Sequence, residues 1–166
     1  MSYLRTPALY YLTALLGEDG LPCLLCGTTN RDEGAYIRFF GKASDGMVDL
    51  QPISDLHKSE VRQLAEFLQL PQSVLDATPT GDTYDGRPDE AMIGAPYDFL
   101  ELYQHWLCAG KPYLQMDSEA RLQWDVWAAN LEELHRKNLH KYLASSVAVH
   151  LDILERAVPG GWRSEV

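Results

Sequence analysis

Leu9, Leu12 and Leu16 recur at helical spacing behind Thr6-Pro7, an N-cap residue followed by proline at the first helical position, and Gly17 stops the run. A short amphipathic helix is expected there. From Leu21 to Cys26 the pattern becomes an unbroken apolar run, as in a parallel strand covered on both faces, and Gly27 ends it. A second helix is expected from Asn30. A second strand, Met47 to Ile53, follows the first by about twenty residues, the scale of a βαβ crossover, so the two strands are expected to lie parallel. Ser54 or Asp55 is placed to cap a further helix with Val61, Leu64, Ala65 and Leu68 on one face, and Pro71 marks its end. Strand, helix, strand, helix is an α/β pattern.

Between Thr78 and Pro96 the chain turns to glycine, proline and acid, a loop long enough for function to be a fair explanation. Helical spacing then returns in three stripes: Phe99, Leu102, Tyr103 and Trp106; Ala120, Trp124, Trp127, Leu131 and Leu134; and Leu143, Val147, Leu151 and Leu154. These stripes read as core or interface. No internal repeat, low-complexity tract or linker divides the chain, so a single domain over residues 1–166 is expected.

Composition narrows the classes. With 166 residues, 46% hydrophobic and 23% charged, the chain can bury a core. A formal net charge of -10 argues against nucleic acid, which is bound through clustered Lys and Arg that release counterions. The same charge makes an anionic substrate dependent on a few locally placed cations, which draws attention to lysines in glycine-rich loops. No run approaches the ~20 apolar residues needed to cross a bilayer. Three cysteines without an apolar signal segment point to a reducing compartment, the cytoplasm. Cys23 and Cys26 form a C-x-x-C, yet residues three apart on a strand point to opposite faces, so buried structural thiols are expected rather than a metal or redox pair.

In open α/β sheets ligands bind beyond the carboxyl ends of the strands, and both candidate strands end in small and polar residues. Gly27-Thr28-Thr29-Asn30 followed by Glu33 reads either as a capping box, with Asn30 and Glu33 closing a helix start, or as part of a site. The wider text favours a site. Gly27-Thr28-Thr29-Asn30-x-x-Glu33, Phe39-Phe40-Gly41-Lys42, Asp45-Gly46-x-x-Asp49, Leu56-x-Lys58, Pro79-Thr80-Gly81-Asp82, Asp89-Glu90 and Ile93-Gly94-x-Pro96-Tyr97 resemble, in order and spacing, the NAD synthetase family. The similarity runs from Tyr3-Leu4-Arg5 to about Tyr103, and Asn138-x-His140-Lys141 resembles a family His-Lys pair. One departure lies between Tyr36 and Phe40, where the family pattern is one residue shorter, so the register of Lys42 rests on Phe39-Phe40-Gly41-Lys42.

The resemblance implies a partial adenine-nucleotide-hydrolase-like, Rossmann-like parallel sheet with C-terminal helices. It also implies ATP-dependent amidation of deamido-NAD to NAD, by adenylation of the nicotinate carboxylate and displacement of AMP by ammonia. On this resemblance Glu33 is the Mg²⁺ ligand. Thr28, Lys58 and Thr80 are the ATP contacts, and Arg5, Lys42, Asp49, His140 and Lys141 hold deamido-NAD. The bland alternatives are a solvated helix residue for Lys58, a loop cation for Lys42, a turn hydroxyl for Thr80 and a surface imidazole for His140. The family's N-terminal Ser-Gly-Gly-x-Asp-Ser loop, an anion nest for pyrophosphate, is not among these residues. The expectation is therefore the C-terminal part of a synthetase, active with a complementing N-terminal segment and, like family members, a homodimer. A non-catalytic nucleotide-binding remnant or a subunit of a split synthetase is the alternative, and a GMP-synthetase-like amidase a third.

Overall fold

A computed structural model describes residues 2–81 and 86–142. Helix α1, Ser2–Glu18, already includes Ser2 to Thr6, so Thr6 lies within it rather than capping it, and Pro7 sits inside the helix. Its leucines are not a core stripe: Leu9, Leu12 and Leu16 are 38, 52 and 40% exposed. The physical reason is that Leu4, Tyr10, Tyr11 and Leu15 place apolar groups on the remaining faces, so no polar side directs the helix onto the core. Among the described side chains of α1, Thr6 alone is buried.

The expected parallel sheet is reduced, among the described residues, to a single parallel bridge between Cys26 and Leu50. Gly27 N–H donates to Leu50 O at 2.8 Å and Asp49 N–H to Leu25 O at 2.8 Å. The pairing has the predicted partners and direction but not the length. Leu21 and Leu24 are 58 and 71% exposed, and Cys23 and Cys26 are exposed as well, against the expectation of buried thiols. A strand needs backbone partners along its length and cover on its faces; here only Leu25 to Gly27 finds them. Gly27 is required at that approach, since a Cβ there would lie 2.8 Å from Val48 Cγ2.

The helix expected from Asn30 is one π-helical turn, Asp32–Tyr36. Asn30 supports its start from one residue before the N-cap Arg31, its Oδ1 accepting from Glu33 N–H at 3.0 Å. Helix α2, Lys58–Phe67, is capped by His57 and Glu60 rather than by Ser54 or Asp55. Ser54 instead closes the preceding turn, its hydroxyl donating to Gln51 O. No residue of α2 is buried, so its predicted stripe stays at the surface.

A short helix α3, Gln72–Leu75, leads to the loop before α4, Asp89–Ile93, α5, Tyr97–Cys108, and α6, Ser118–Asn138. The core is built here. Tyr36, Ile37, Ile93, Phe99, Leu100, Tyr103, Trp124 and Leu131 form one buried cluster, with Trp106 and Trp127 packed against it. Phe99 meets Trp124 edge-on at 5.0 Å, a favoured aromatic geometry. Leu102, predicted for this face, is exposed, and Leu100 takes the interior place. The stripe from Leu143 to Leu154 lies outside the described residues.

The C-terminal end of α6 and the 3-10 turn after it, Leu139–Tyr142, also cap the π turn. His135 Nδ1 bonds Tyr36 O at 2.7 Å, Asn138 Nδ2 donates to Ile37 O at 2.8 Å, and Lys141 Nζ donates to Arg38 O at 2.9 Å. Three successive carbonyls at a helix end thus find side-chain donors, which such termini require. Gly94, at φ 75°, lets its carbonyl accept from Asn130 Nδ2 at 2.8 Å, and a Cβ there would come within 2.7 Å of that nitrogen.

The contrast between the two halves is measurable. Leu131→Ala, at a fully buried position, is expected to cost about 2–5 kcal/mol in urea unfolding, whereas Leu12→Ala on α1 should stay within about 0.5 kcal/mol. Equal losses would place α1 in the core.

Candidate functional site

The site is organised by Asp32, whose side chain is fully buried. Its Oδ2 accepts from the backbone N–H of Lys58 at 2.6 Å, and its Oδ1 accepts from Gln104 Nε2 at 2.9 Å and bonds His57 Nδ1 at 2.7 Å. A carboxylate at the first turn of α2 suits the positive end of the helix dipole. It also fixes the π turn against α2 and α5, and so sets Glu33 beside Lys58. Lys58 Nζ lies 2.7 Å from Glu33 Oε1. Glu33 does not close the capping box that was the alternative reading. Its carboxylate turns instead to Lys58 and to the Tyr97 hydroxyl, 3.1 Å away.

Tyr97 OH is also 3.2 Å from Asp89 Oδ2, so one phenol stands between two carboxylates. Burial, then the charges of Glu33 and Asp89, push its pKa far up, and it stays a proton donor at any physiological pH. Asp89 is itself pushed above the ordinary carboxylate range. Burial is the main cause and the Glu33 charge adds to it, against the Tyr97 hydrogen bond and the Lys58 cation. Its Oδ1 is buried without a hydrogen bond of good geometry. Two converging carboxylates are a hard-oxygen pair of the kind that could hold a divalent cation such as Mg²⁺.

These groups open into a cleft of about 320 Å³. Arg5, Thr28, Glu33, Lys58 and Thr80, all expected from the sequence, line it together, with Thr29, Phe39, Phe40, Gly81 and Asp89. Thr80 is brought to the cleft by an antiparallel bridge to Pro88 and by Asp89 N–H donating to Pro79 O at 2.9 Å. Asp82, the last residue of that motif, lies outside the described residues. Arg5 reaches the cleft from α1, 3.7 Å from Asp45. A lysine, threonine hydroxyls and an arginine facing a carboxylate pair can bind a polyanion together with a hard cation.

The remaining predicted residues stand apart from this group. Lys42 Nζ donates to His140 O at 3.3 Å, and His140 Nδ1 bonds Lys137 O at 3.0 Å. Lys141 Nζ lies 5.4 Å from the centroid of the Phe40 ring, which lines the cleft, and burial lowers its pKa. Lys42, His140 and Lys141 therefore gather at the Phe40 edge of the cleft. Asp49 does not line it, and its Oδ2 accepts from Leu25 N–H at 2.8 Å. Sequence reasoning missed Asp32, His57, Gln104, Asp89 and Tyr97. Asp89 and Tyr97 lay within motifs that carried the resemblance; for Asp32, His57 and Gln104 the only signal was proximity to Glu33, Lys58 and Tyr103.

The family model described as NAD synthase matches residues 3–144. The chain is 30% identical over 161 residues to an NH(3)-dependent NAD(+) synthetase of Methanococcoides burtonii, covering 97% of this chain and 57% of that protein. It is 33% identical over 140 residues to the protein of the same name from Picrophilus torridus, covering 84% and 52% respectively. Among solved structures, that of NMN synthetase from Francisella tularensis matches with a TM-score of 0.65 and 26% identity, over 88% of this chain and 53% of that one. The chain spans about half the length of the curated relatives it matches.

The Asp89 carboxylate makes stability fall with rising pH. A folded pKa above the ordinary value means its contribution is complete at low pH and is lost as pH rises through the raised pKa. Asp89→Asn removes that loss. In Mg²⁺-free buffer the variant should melt above the parent at pH 7, with the gap closing as pH falls toward the ordinary carboxylate range. A variant less stable than the parent at pH 7 contradicts the assignment.

Proposed function

The chain belongs to the NAD synthase family, and from that premise we propose that it carries the ATP and deamido-NAD half of an ammonia-dependent amidation giving NAD. The observation that carries the proposal is the shared cleft of Glu33, Lys58, Thr28 and Thr80. A carboxylate is a poor electrophile, because its charge is delocalised and its leaving group would be oxide. Attack of the nicotinate carboxylate on the α-phosphorus of ATP expels pyrophosphate and gives an acyl adenylate. Ammonia then adds to the activated carbonyl and AMP departs.

Protein help in such a reaction is positioning and electrostatic stabilisation. Lys58, already held by Asp32 through its backbone, supplies a fixed positive charge for the triphosphate, and Thr28 and Thr80 supply hydroxyl donors. Glu33 and Asp89 are the residues to hold Mg²⁺, which when bound neutralises phosphate charge. Lys58 then exchanges its bond to Glu33 for one to phosphate. Arg5, Lys42, His140 and Lys141 are suited to the charged and polar parts of deamido-NAD, and Phe40 offers a ring face. Asp49, with Oδ2 on Leu25 N–H, has Oδ1 to offer the same ligand.

We place the reaction in the cytoplasm and expect it to need a Ser-Gly-Gly-x-Asp-Ser segment. The exposed leucines of α1 are a natural surface for that segment or for a second copy of the chain. A catalytically inert dinucleotide-binding protein is the second reading.

The test is product formation from deamido-NAD, ATP and ammonia, with and without a segment bearing that motif. The expected result is NAD and pyrophosphate in equal amounts in the complemented mixture. Lys58→Ala should lower kcat/KM by roughly 100-fold or more, and Glu33→Ala by a similar factor. No product in either mixture ends the claim of catalysis. Deamido-NAD titrations that give the same affinity for the parent, Lys58→Ala and Glu33→Ala would mean that those side chains line no site.

A further inference from the structure

Beside Asp32, and outside the lining of the cleft, His57, Glu101 and His105 converge. Each offers one ligand atom, and the three atoms lie within 4.8 Å of one another. We propose that this cluster is a transition-metal site, a zinc site in chemistry, separate from the Glu33–Asp89 carboxylates.

Four features built into the chain favour it. Glu101 and His105 are four residues apart on α5, so both side chains project from one face of the helix. His57 comes from the N-cap of α2 and is fixed there, its backbone N–H donating to Glu60 Oε2 at 2.8 Å. The two imidazole rings lie 4.9 Å apart between centroids. Finally, the outer partners are in place. Asp32 Oδ1 holds His57 Nδ1 at 2.7 Å, which leaves Nε2 as the nitrogen to ligate, and Ser59 Oγ donates to Glu101 Oε2 at 2.8 Å.

A carboxylate behind a ligating histidine fixes its tautomer and ring orientation and raises its basicity, the usual support of a metal-bound imidazole. Two imidazoles and one carboxylate are borderline ligands that suit Zn²⁺ and, after it, Co²⁺ and Ni²⁺, rather than Mg²⁺. Tetrahedral zinc ligands about 2.0–2.1 Å from the ion sit roughly 3.4 Å apart. The cluster is therefore open by up to about 1.4 Å, a distance that the exposed side chain of His105 can close by rotation. Water completes the fourth position. Bound metal would tie the start of α2, and with it Lys58, to α5.

The test uses the full chain without a histidine tag, with Cys23, Cys26 and Cys108 replaced by serine so that no exposed thiol takes the ion. Zinc is titrated in competition with a chromophoric chelator, and Co²⁺ binding is followed by its visible bands. The expected result is one equivalent of zinc, a tetrahedral Co²⁺ spectrum and a raised Tm. His105→Gln, a change at an exposed position, and Glu101→Gln should each weaken binding at least about tenfold and abolish the Tm shift. Equal zinc affinity in the parent and His105→Gln, or no uptake by the parent, overturns the proposal. Either result leaves the nucleotide reading of the cleft untouched, because neither variant alters a residue of that cleft.

Discussion

One buried carboxylate holds the arrangement together. Asp32 has no exposure to solvent, and an isolated charge there would be costly by several kcal/mol even after relaxation. The cost is offset because three donors from separate parts of the chain converge on it: the Lys58 backbone, the His57 ring and the Gln104 amide. The same bonds that make the charge tolerable define the relative positions of the π turn, α2 and α5. Removing any one donor leaves the carboxylate under-satisfied rather than merely losing a contact, so the three segments are coupled more tightly than their apolar packing alone would make them.

Two polar clusters adjoin that anchor. Glu33, one residue further along the turn, is carried toward Lys58, Tyr97 and Asp89, while His57, one residue before Lys58, is carried toward Glu101 and His105. The first cluster is rich in hard oxygens and cations and faces an open cleft. The second has imidazole nitrogens. A single helix start thus separates two chemistries by the direction in which adjacent side chains leave the backbone.

Much of this was legible in the residue order, and the illegible parts share a cause. The aromatic spacing of α5 and α6 marked the core correctly at Phe99, Tyr103, Trp124 and Leu131, because helical periodicity reports a face that packing then uses. Leu21 to Cys26 misled because an apolar run says nothing about whether a neighbouring strand is present to pair with it, and α1 misled because its apolar residues encircle it. At the site, Thr28, Glu33, Lys58 and Thr80 were found through motifs in register. Asp32 and His57 were not, since their roles arise from a π turn and a histidine cap that no short spacing rule encodes. Gln104 came within reach of Asp32 only through the packing of α5.

The two walls of the cleft differ in how firmly they are held. Glu33, Lys58 and Asp89 stand on the aromatic core, with the π turn gripped by His135 and Asn138 of α6 and by Lys141 just beyond it. Thr28 and Arg5 depend on one parallel bridge and on a helix with little burial. Ordering residues costs about 1–2 kcal/mol each in backbone freedom, and on the core side that cost is met by folding itself. The cleft is therefore anchored mainly through Glu33 and Lys58, while Thr28 and Arg5 line it from the less buried wall.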